Sequence, residues 1–503
     1  MSTLEQNAAR VVIPVLDLRP SADRAASWSA ARELARRGVG GFILFGGQSA
    51  TLAGQLAELR GHAPGPLLIG SDLERGVGQQ VVGCSSLPPL SALGGADDPE
   101  LARAAGEALA REALALGIDW IYAPVLDLAD EPRNPIVGGR AFAAEPERVA
   151  ALGRAFVQGL QGAGALACAK HYPGHGATLL DSHEADPVVE RSGQDLRARD
   201  LAPFQAVADE VASVMSAHVA YPTLTGDDLP ATRSPRLLGD LLRGELGFQG
   251  AVVSDALIMD GVRAGGLSEV EAACAALAAG CDLLLYPSDP AALIEALVAW
   301  AGEAPERAAR LAEAAERAGA LAARVGDCDA ELAAASAAGR ALEERICAAA
   351  LARRGPAQAP LAAGDEVALL ILDDDEAPTL GNALAAELRA AGVELRVASV
   401  DGREGSDPAR WRELAASCQR RVVAVGCQVR AWKGRPGLAP ALGRLLAELE
   451  PAGLSVVGLC GAAPLVDAPA GAEQLLAHGA APAAERAAAR VLLGARALGR
   501  WPA

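Results

Sequence analysis

Ala165-Leu-Ala-Cys-Ala-Lys-His-Tyr-Pro-Gly-His-Gly-Ala-Thr-Leu-Leu-Asp-Ser-His183 begins as a short apolar run and closes on charged and polar groups. Residues 165–170 read as a buried strand of the kind found in parallel sheets, with Lys170 and His171 at its C-terminal end. Three of the six histidines of the chain lie between His171 and His183, and Lys170 is one of only two lysines. A compact ammonium retained where arginine is otherwise used points to chemistry at this place.

Runs of the same kind recur on both sides of this stretch: Val11 to Val15, Gly41 to Phe45, Leu67 to Ser71, Trp120 to Pro124, Ser213 to His218, Ala251 to Asp255 and Cys281 to Leu285. Amphipathic stretches at 22–37, 98–116, 145–162, 235–244 and 267–278 predict helices between them. Eight such β-α units in about 300 residues predict a (β/α)8 TIM-like barrel. Asp72, Asp127, Lys170, His171, His218 and Asp255 all fall at or just past the C-terminal ends of predicted strands, the face where such barrels carry their active sites.

The barrel is expected over residues 1–303. An Ala/Arg/Glu-rich helical connector and linker, ending in Gly355-Pro-Ala-Gln-Ala-Pro360, occupies 304–360. Strand runs at Val367 to Leu372, Leu395 to Val400, Val422 to Val425 and Leu454 to Leu459 then predict a smaller α/β parallel-sheet sandwich domain over 361–503. Its acidic turn Asp373-Asp-Asp-Glu376 reads as a solvated loop, with cation binding as the alternative.

Composition narrows the function. A chain of 503 residues exceeds what one core usually serves, and 51% hydrophobic residues suffice to build two. A net charge of −18 opposes nucleic acid and anionic membrane, leaving a small or neutral ligand. Nine scattered cysteines without a C-x-x-C pair read as free thiols in a reducing compartment, and their spacing fits no zinc ribbon. The N-terminus has no signal-peptide pattern and no apolar run is long enough to span a bilayer, so the expected location is cytoplasmic.

Within the central motif, Asp181 stands two residues before His183, where it can fix the imidazole tautomer and favour its protonated form, the requirement for a group that acts first as acid and then as base. Metal ligation by His171, His175, Asp181 and His183 is the rival reading. It needs His171 and His175 on one helix face, and Pro173-Gly174 between them makes a turn instead. Asp255 arrives at the end of the buried run Ala251-Val-Val-Ser254, where it either caps the next helix or serves as a nucleophile toward an anomeric carbon while His183 protonates the leaving oxygen.

Taken together these residues resemble glycoside hydrolase family 3, specifically its bacterial β-N-acetylglucosaminidase (β-hexosaminidase) branch in two-domain form. The family signature K-H-F-P-G-H-G-D-T-x-x-D-S-H corresponds to Lys170-His-Tyr-Pro-Gly-His-Gly-Ala-Thr-Leu-Leu-Asp-Ser-His183. Ala123-Pro-Val-Leu-Asp127, Asn134-Pro-Ile-Val-Gly-Gly-Arg-Ala-Phe142, Ser216-Ala-His-Val-Ala-Tyr-Pro222, Pro230-Ala-Thr232 and Ser254-Asp-Ala-Leu-Ile-Met259 match as well. The resemblance covers residues 10–300 and the C-terminal domain in outline. It implies a TIM-like barrel, no cofactor, Asp255 as nucleophile, His183 as acid/base with Asp181 as its partner, and Asp72, Arg140, Lys170 and His171 as sugar contacts; no metal is expected, because the Pro173-Gly174 turn disfavours the ligand cluster. Gln80 stands where the family commonly has a substrate-contacting Arg, Ala177 where it usually has Asp, and Ala256 where a second Asp is common. The first change bears on sugar or aglycone choice, and none removes an implied catalytic group.

The implied reaction is removal of terminal, non-reducing β-linked N-acetylglucosamine by double displacement, from cell-wall fragments or chitooligosaccharides, with peptidoglycan recycling as the setting. Phosphorolysis is an alternative because a neutral imidazole would not repel an incoming phosphate. A β-glucosidase and a sugar-binding protein on a decayed barrel are the others. The expected partner is a small carbohydrate, with neither nucleic acid nor membrane involved.

Overall fold

The computed structural model describes residues 2–502 except 132, 133, 135, 179–186, 327, 328, 376–378, 402–407 and 428–436. The chain divides into two compact units, one of Met1–Leu87, Ala102–Leu128 and Glu145–Arg340, the other of Pro88–Leu101, Ala129–Ala144 and Ala341–Ala503. The stretches 88–101 and 129–144, which the sequence reading placed inside the barrel, thus pack with the second unit.

In the first unit the apolar runs become parallel strands β1 (Val12–Ile13), β2 (Val15–Asp17), β3 (Gly41–Phe45), β4 (Leu68–Ser71), β5 (Trp120–Ile121), β6 (Leu166–Tyr172), β7 (Ser213–Ser216), β8 (Ala251–Ser254) and β9 (Leu284–Leu285). Strands β2 to β8 form a seven-stranded sheet in sequence order, and β1 pairs with β9. The sheet curls, because β9 also reaches β8 through a Val253–Leu283 bridge, while β1 leads through Pro14 into β2. Leu284 and Tyr286 donate to Val11 and Ile13 at 2.8 Å, and Ser254 donates to Leu283 at 2.9 Å.

Ile13, Ile43, Leu68, Trp120, Tyr122, Leu166, Cys168, Met215 and Val253 fill the interior. Trp120 and Tyr122 meet edge to face with centroids 4.8 Å apart. A Cβ on Gly70 would lie 2.3 Å from the Tyr122 hydroxyl, so only glycine leaves room for that ring.

The outer helices start where short polar side chains satisfy their free amides. Asp23 caps Arg24–Arg37 by accepting from the Ala26 amide, and Ser268 with Glu271 forms a capping box on Glu269–Ala279. Helices Pro99–Ala115 and Pro146–Gly162 fall at the expected places, and Arg236–Glu245 takes the wider π-helical form.

The second unit holds β10 (Ala352–Arg354), β11 (Glu366–Asp373), β12 (Glu394–Asp401), β13 (Arg420–Gly426), β14 (Leu454–Gly458) and β15 (Glu473–Leu476), ordered β10-β15-β14-β13-β11-β12. Alternate residues of β11 serve opposite cores: Val367, Leu369 and Ile371 pack on one face, Ala368, Leu370 and Leu372 on the other. The expectation of a purely parallel sheet is corrected here. Strand β10 runs antiparallel to β15, with Ala352 opposite Leu476, so the sheet is mixed. Ala-Arg-Arg carries no strand signal of its own and is recruited as an edge by the ladder it completes.

Two buried carboxylates brace the N-terminal ends of strands in the first unit. Asp282, ahead of β9, accepts from Arg243 and Arg310 at 2.7 Å each and from the Val252 amide at 2.9 Å. Asp119, ahead of β5, accepts from Arg60 at 2.6 Å and from the Ile69 amide at 3.2 Å. Burial pushes both carboxyls up, and the arginines pull them back only in part. Asp282→Ala would strand two part-buried guanidiniums, and we expect a loss of about 3 kcal/mol in urea unfolding. A change under about 1 kcal/mol would show that the brace is dispensable.

Candidate active site

The side chains that the strands deliver to the C-terminal edge of the curled sheet form two connected groups and a third carboxylate. Lys170, near the end of β6, is almost fully buried, and its Nζ lies 2.7 Å from Asp72 Oδ1 and 2.8 Å from Glu74 Oε1. Asp72 follows β4 directly and Glu74 follows two residues later. Glu74 was not singled out from sequence. The alternation Asp72-Leu73-Glu74, with Leu73 buried, is the signal that both carboxyls belong to one cluster. Gln80 supports the same turn, its amide donating to the Asp72 carbonyl at 3.4 Å and its oxygen accepting from the Gly46 amide at 3.4 Å.

The second group centres on Asp127, which has no exposed surface. Its Oδ1 accepts the backbone amides of His171 at 3.2 Å and His175 at 2.7 Å, and its Oδ2 lies 2.7 Å from His171 Nδ1. Burial would raise this carboxyl, but His171, His175 and the amide bond together hold it below its ordinary range. The sequence reading placed Asp127 at a strand end without giving it a task. Its task here is to shape the turn and fix the His171 ring. His175 turns its Nδ1 to Thr178 at 2.8 Å. Burial lowers the His175 ring to about 4, against the pull of Asp127, so it is neutral near pH 7.

Asp255 follows β8, with its backbone amide bonded to the Ser216 carbonyl at 3.2 Å and its Oδ1 accepting from the Ala256 amide at 2.8 Å. Burial alone would push this carboxyl up. The charges of His171 and His218, the Ala256 amide and the charge of Lys170 outweigh it and hold Asp255 at about 2. Lys170, His171 and His218 each act electrostatically on Asp255, although the four residues come from three different strand ends. The arrangement supplies a carboxylate that is ionised near neutral pH beside cationic and hydrogen-bonding groups, a combination with the chemistry of a nucleophile toward an electrophilic carbon.

Arg140 lies on the 3-10 turn Gly138–Arg140, within the stretch that packs with the second unit. Asp181 and His183 lie outside the described residues. Among the described residues no set of three or more His, Cys, Asp or Glu side chains is disposed to hold a metal ion.

The pattern described as the glycosyl hydrolase family 3 N terminal domain matches residues 8–321. The chain belongs to glycosyl hydrolase family 3. Among its relatives, a beta-hexosaminidase of Thiobacillus denitrificans is 43% identical over 289 residues, covering 54% of this chain and 79% of the relative. One from Chromobacterium violaceum is 43% identical over 290 residues, covering 56% and 79%. The solved family 3 beta-N-acetylglucosaminidase of a Paenibacillus species superposes with a TM-score of 0.87 at 30% identity, covering 100% of this chain and 99% of that one. A beta-glucoside phosphorylase shares the fold with a TM-score of 0.85 at 20% identity.

The buried, neutral His175 has a stability consequence. Its folded value lies near 4 against an ordinary 6.5, so the unfolded chain binds the extra proton as the pH falls through that window. Its contribution is fully present above about pH 6.5 and is lost toward pH 4, by about 3 kcal/mol in all. His175→Asn should therefore flatten the acid-side fall in unfolding free energy, followed by urea titration across this range. An unchanged slope would mean that His175 titrates normally.

Proposed function

We propose that this chain is a retaining exo-β-N-acetylglucosaminidase that removes terminal non-reducing β-linked N-acetylglucosamine by double displacement. The observation that carries this reading is Asp255, held ionised at about 2 at the end of β8 beside Lys170, His171 and His218. The relatives named beta-hexosaminidase and the full-length likeness to a beta-N-acetylglucosaminidase support the acetamido sugar. In this reading the curled sheet is a closed (β/α)8 barrel, supported by the bonds that β9 makes to both β8 and β1.

In the first half-reaction an Asp255 oxygen bonds to the anomeric carbon, the glycosidic C–O bond breaks, and the leaving oxygen takes the proton of His183, whose cation Asp181 favours. In the second, His183 takes a proton from water, the water oxygen bonds to the same carbon, and Asp255 leaves as a carboxylate. Two inversions give net retention. Asp72, Lys170 and His171 are assigned to the sugar hydroxyls. Lys170 and Asp72 already meet, so they present a donor and an acceptor side by side, which suits neighbouring hydroxyls.

A cell-wall or chitooligosaccharide fragment is the proposed source of the sugar, in the cytoplasm as part of peptidoglycan recycling. The eight described cysteines are all free, in keeping with a reducing compartment. Among the described residues no helix is long and apolar enough to cross a membrane.

Aryl β-N-acetylglucosaminide and aryl β-glucoside, compared with and without phosphate, test the reading. We expect preference for the acetamido sugar with no requirement for phosphate. Sugar 1-phosphate formed in phosphate buffer would replace hydrolysis with phosphorolysis. A second test concerns the acid. His183→Ala should lower kcat/KM on poor leaving groups by about 10²-fold or more, and far less on activated aryl glycosides. Equal losses on both would remove His183 from the role.

A further inference from the structure

Two short segments matched separately in the sequence, Ser216-Ala-His218 and Pro230-Ala-Thr232, meet beside Asp255, and the reaction above uses neither. His218 follows β7 and is 1% exposed, and Thr232 sits on the 3-10 turn Ala231–Arg233 with no exposure. His218 Nδ1 lies 2.8 Å from Thr232 Oγ1, and His218 Nε2 lies 3.2 Å from the Ala256 carbonyl oxygen. A carbonyl oxygen can only accept, so Nε2 carries a hydrogen. Thr232 is itself fixed, its hydroxyl 3.0 Å from the Ala217 carbonyl and 2.9 Å from Ser216 Oγ.

This chain of contacts ends on the reactive carboxylate. The Ala256 amide donates to Asp255 Oδ1 at 2.8 Å, while the Ala256 carbonyl is the atom His218 holds. Further along, the Leu257 amide donates to the Leu285 carbonyl at 2.8 Å. The turn that carries Asp255 is therefore tied to β7 through the Ser216 carbonyl, to β9 through Leu285, and to Thr232 through the His218 ring. An attacking oxygen must stay in line with the anomeric carbon to within a fraction of an ångström, and a turn held by main-chain bonds alone can rock about them.

We infer that His218 is a positioning residue for the nucleophile, and that the Thr232 hydroxyl, by orienting the His218 ring, sets the alignment of the Asp255 carboxylate through the Ala256 carbonyl. The inference rests on Asp255 being the nucleophile. It separates binding from chemistry, because His218 and Thr232 act on the attacking group and the groups assigned to the sugar hydroxyls lie on other strand ends.

The test compares Thr232→Val, which keeps shape and removes the hydroxyl, with Thr232→Ser, which keeps the hydroxyl and removes a methyl. Both are assayed on an aryl β-N-acetylglucosaminide beside Asp255→Asn. Expected are a fall of about 10- to 100-fold in kcat for the valine variant with KM within about twofold of the parent, near-parental kcat for the serine variant, and no turnover by Asp255→Asn. Parental kcat in the valine variant, or equal losses in both variants, overturns the inference while an inactive Asp255→Asn leaves the nucleophile standing. An active Asp255→Asn overturns both. Should the valine variant fail to fold, His218→Gln and His218→Leu supply the same contrast, since the glutamine amide can donate to the Ala256 carbonyl and leucine cannot. Glutamine retaining about tenfold more kcat than leucine supports the positioning role, and equal losses overturn it.

Discussion

Asp127 is fully buried, and its two oxygens gather the amides of His171 and His175 and the ring of His171. A carboxylate in that position is tolerable only while those donors converge on it, so the carboxylate and the turn define each other. The turn is drawn so close that a Cβ on Gly176 would lie 2.1 Å from the Leu128 carbonyl oxygen. The end of β6 is also tied to the same segment, Leu126 donating to the Lys170 carbonyl at 2.7 Å. Lys170 and His171 therefore inherit their places from a network whose centre is one side chain with no access to water.

Two pairs of carboxylates in the first unit differ according to the strand end they occupy. At the N-terminal ends of the strands, Asp119 and Asp282 are held by arginines and are pushed up by burial. At the C-terminal ends, Asp127 and Asp255 are surrounded by imidazole, amide and ammonium groups and are held down. Guanidinium forks suit permanent bracing, whereas imidazole and ammonium can turn toward a ligand without losing the carboxylate they attend. The difference between raised and lowered carboxyls along the strand axis follows from which donors each end supplies.

Much of this was legible in the sequence, for identifiable reasons. Strands buried on both faces write themselves as uninterrupted apolar runs, so each of the eight expected runs in the first unit overlaps an observed strand. Caps such as Asp23 and Ser268 mark helix starts by chemistry alone. The helix Ser49–His62 was not expected: Gln48 before it makes no side-chain cap, which removes the starting signal. Strand β15 was missed because Glu473 and Gln474 read as surface. In the fold Glu473 is buried, accepting from Ser455 at 2.6 Å and pairing with Arg353 at 3.1 Å. In the site, strand-end positions announced Asp72, Lys170, His171 and Asp255. Glu74 and the task of Asp127 depended on which neighbours fold beside them, and the meeting of His218 with Thr232 spans two segments that sequence spacing alone does not connect.

The interior of the curled sheet contains one more mutual constraint, between Gly70 and Tyr122. The hydroxyl of Tyr122 occupies the volume that a side chain at position 70 would claim, at a separation of 2.3 Å. The two positions, fifty-two residues apart, are therefore a single unit of inheritance. As this chain diverges, glycine at 70 can be exchanged only in a lineage that has already given up the ring at 122, so drift at these sites is ordered in time as well as paired in space.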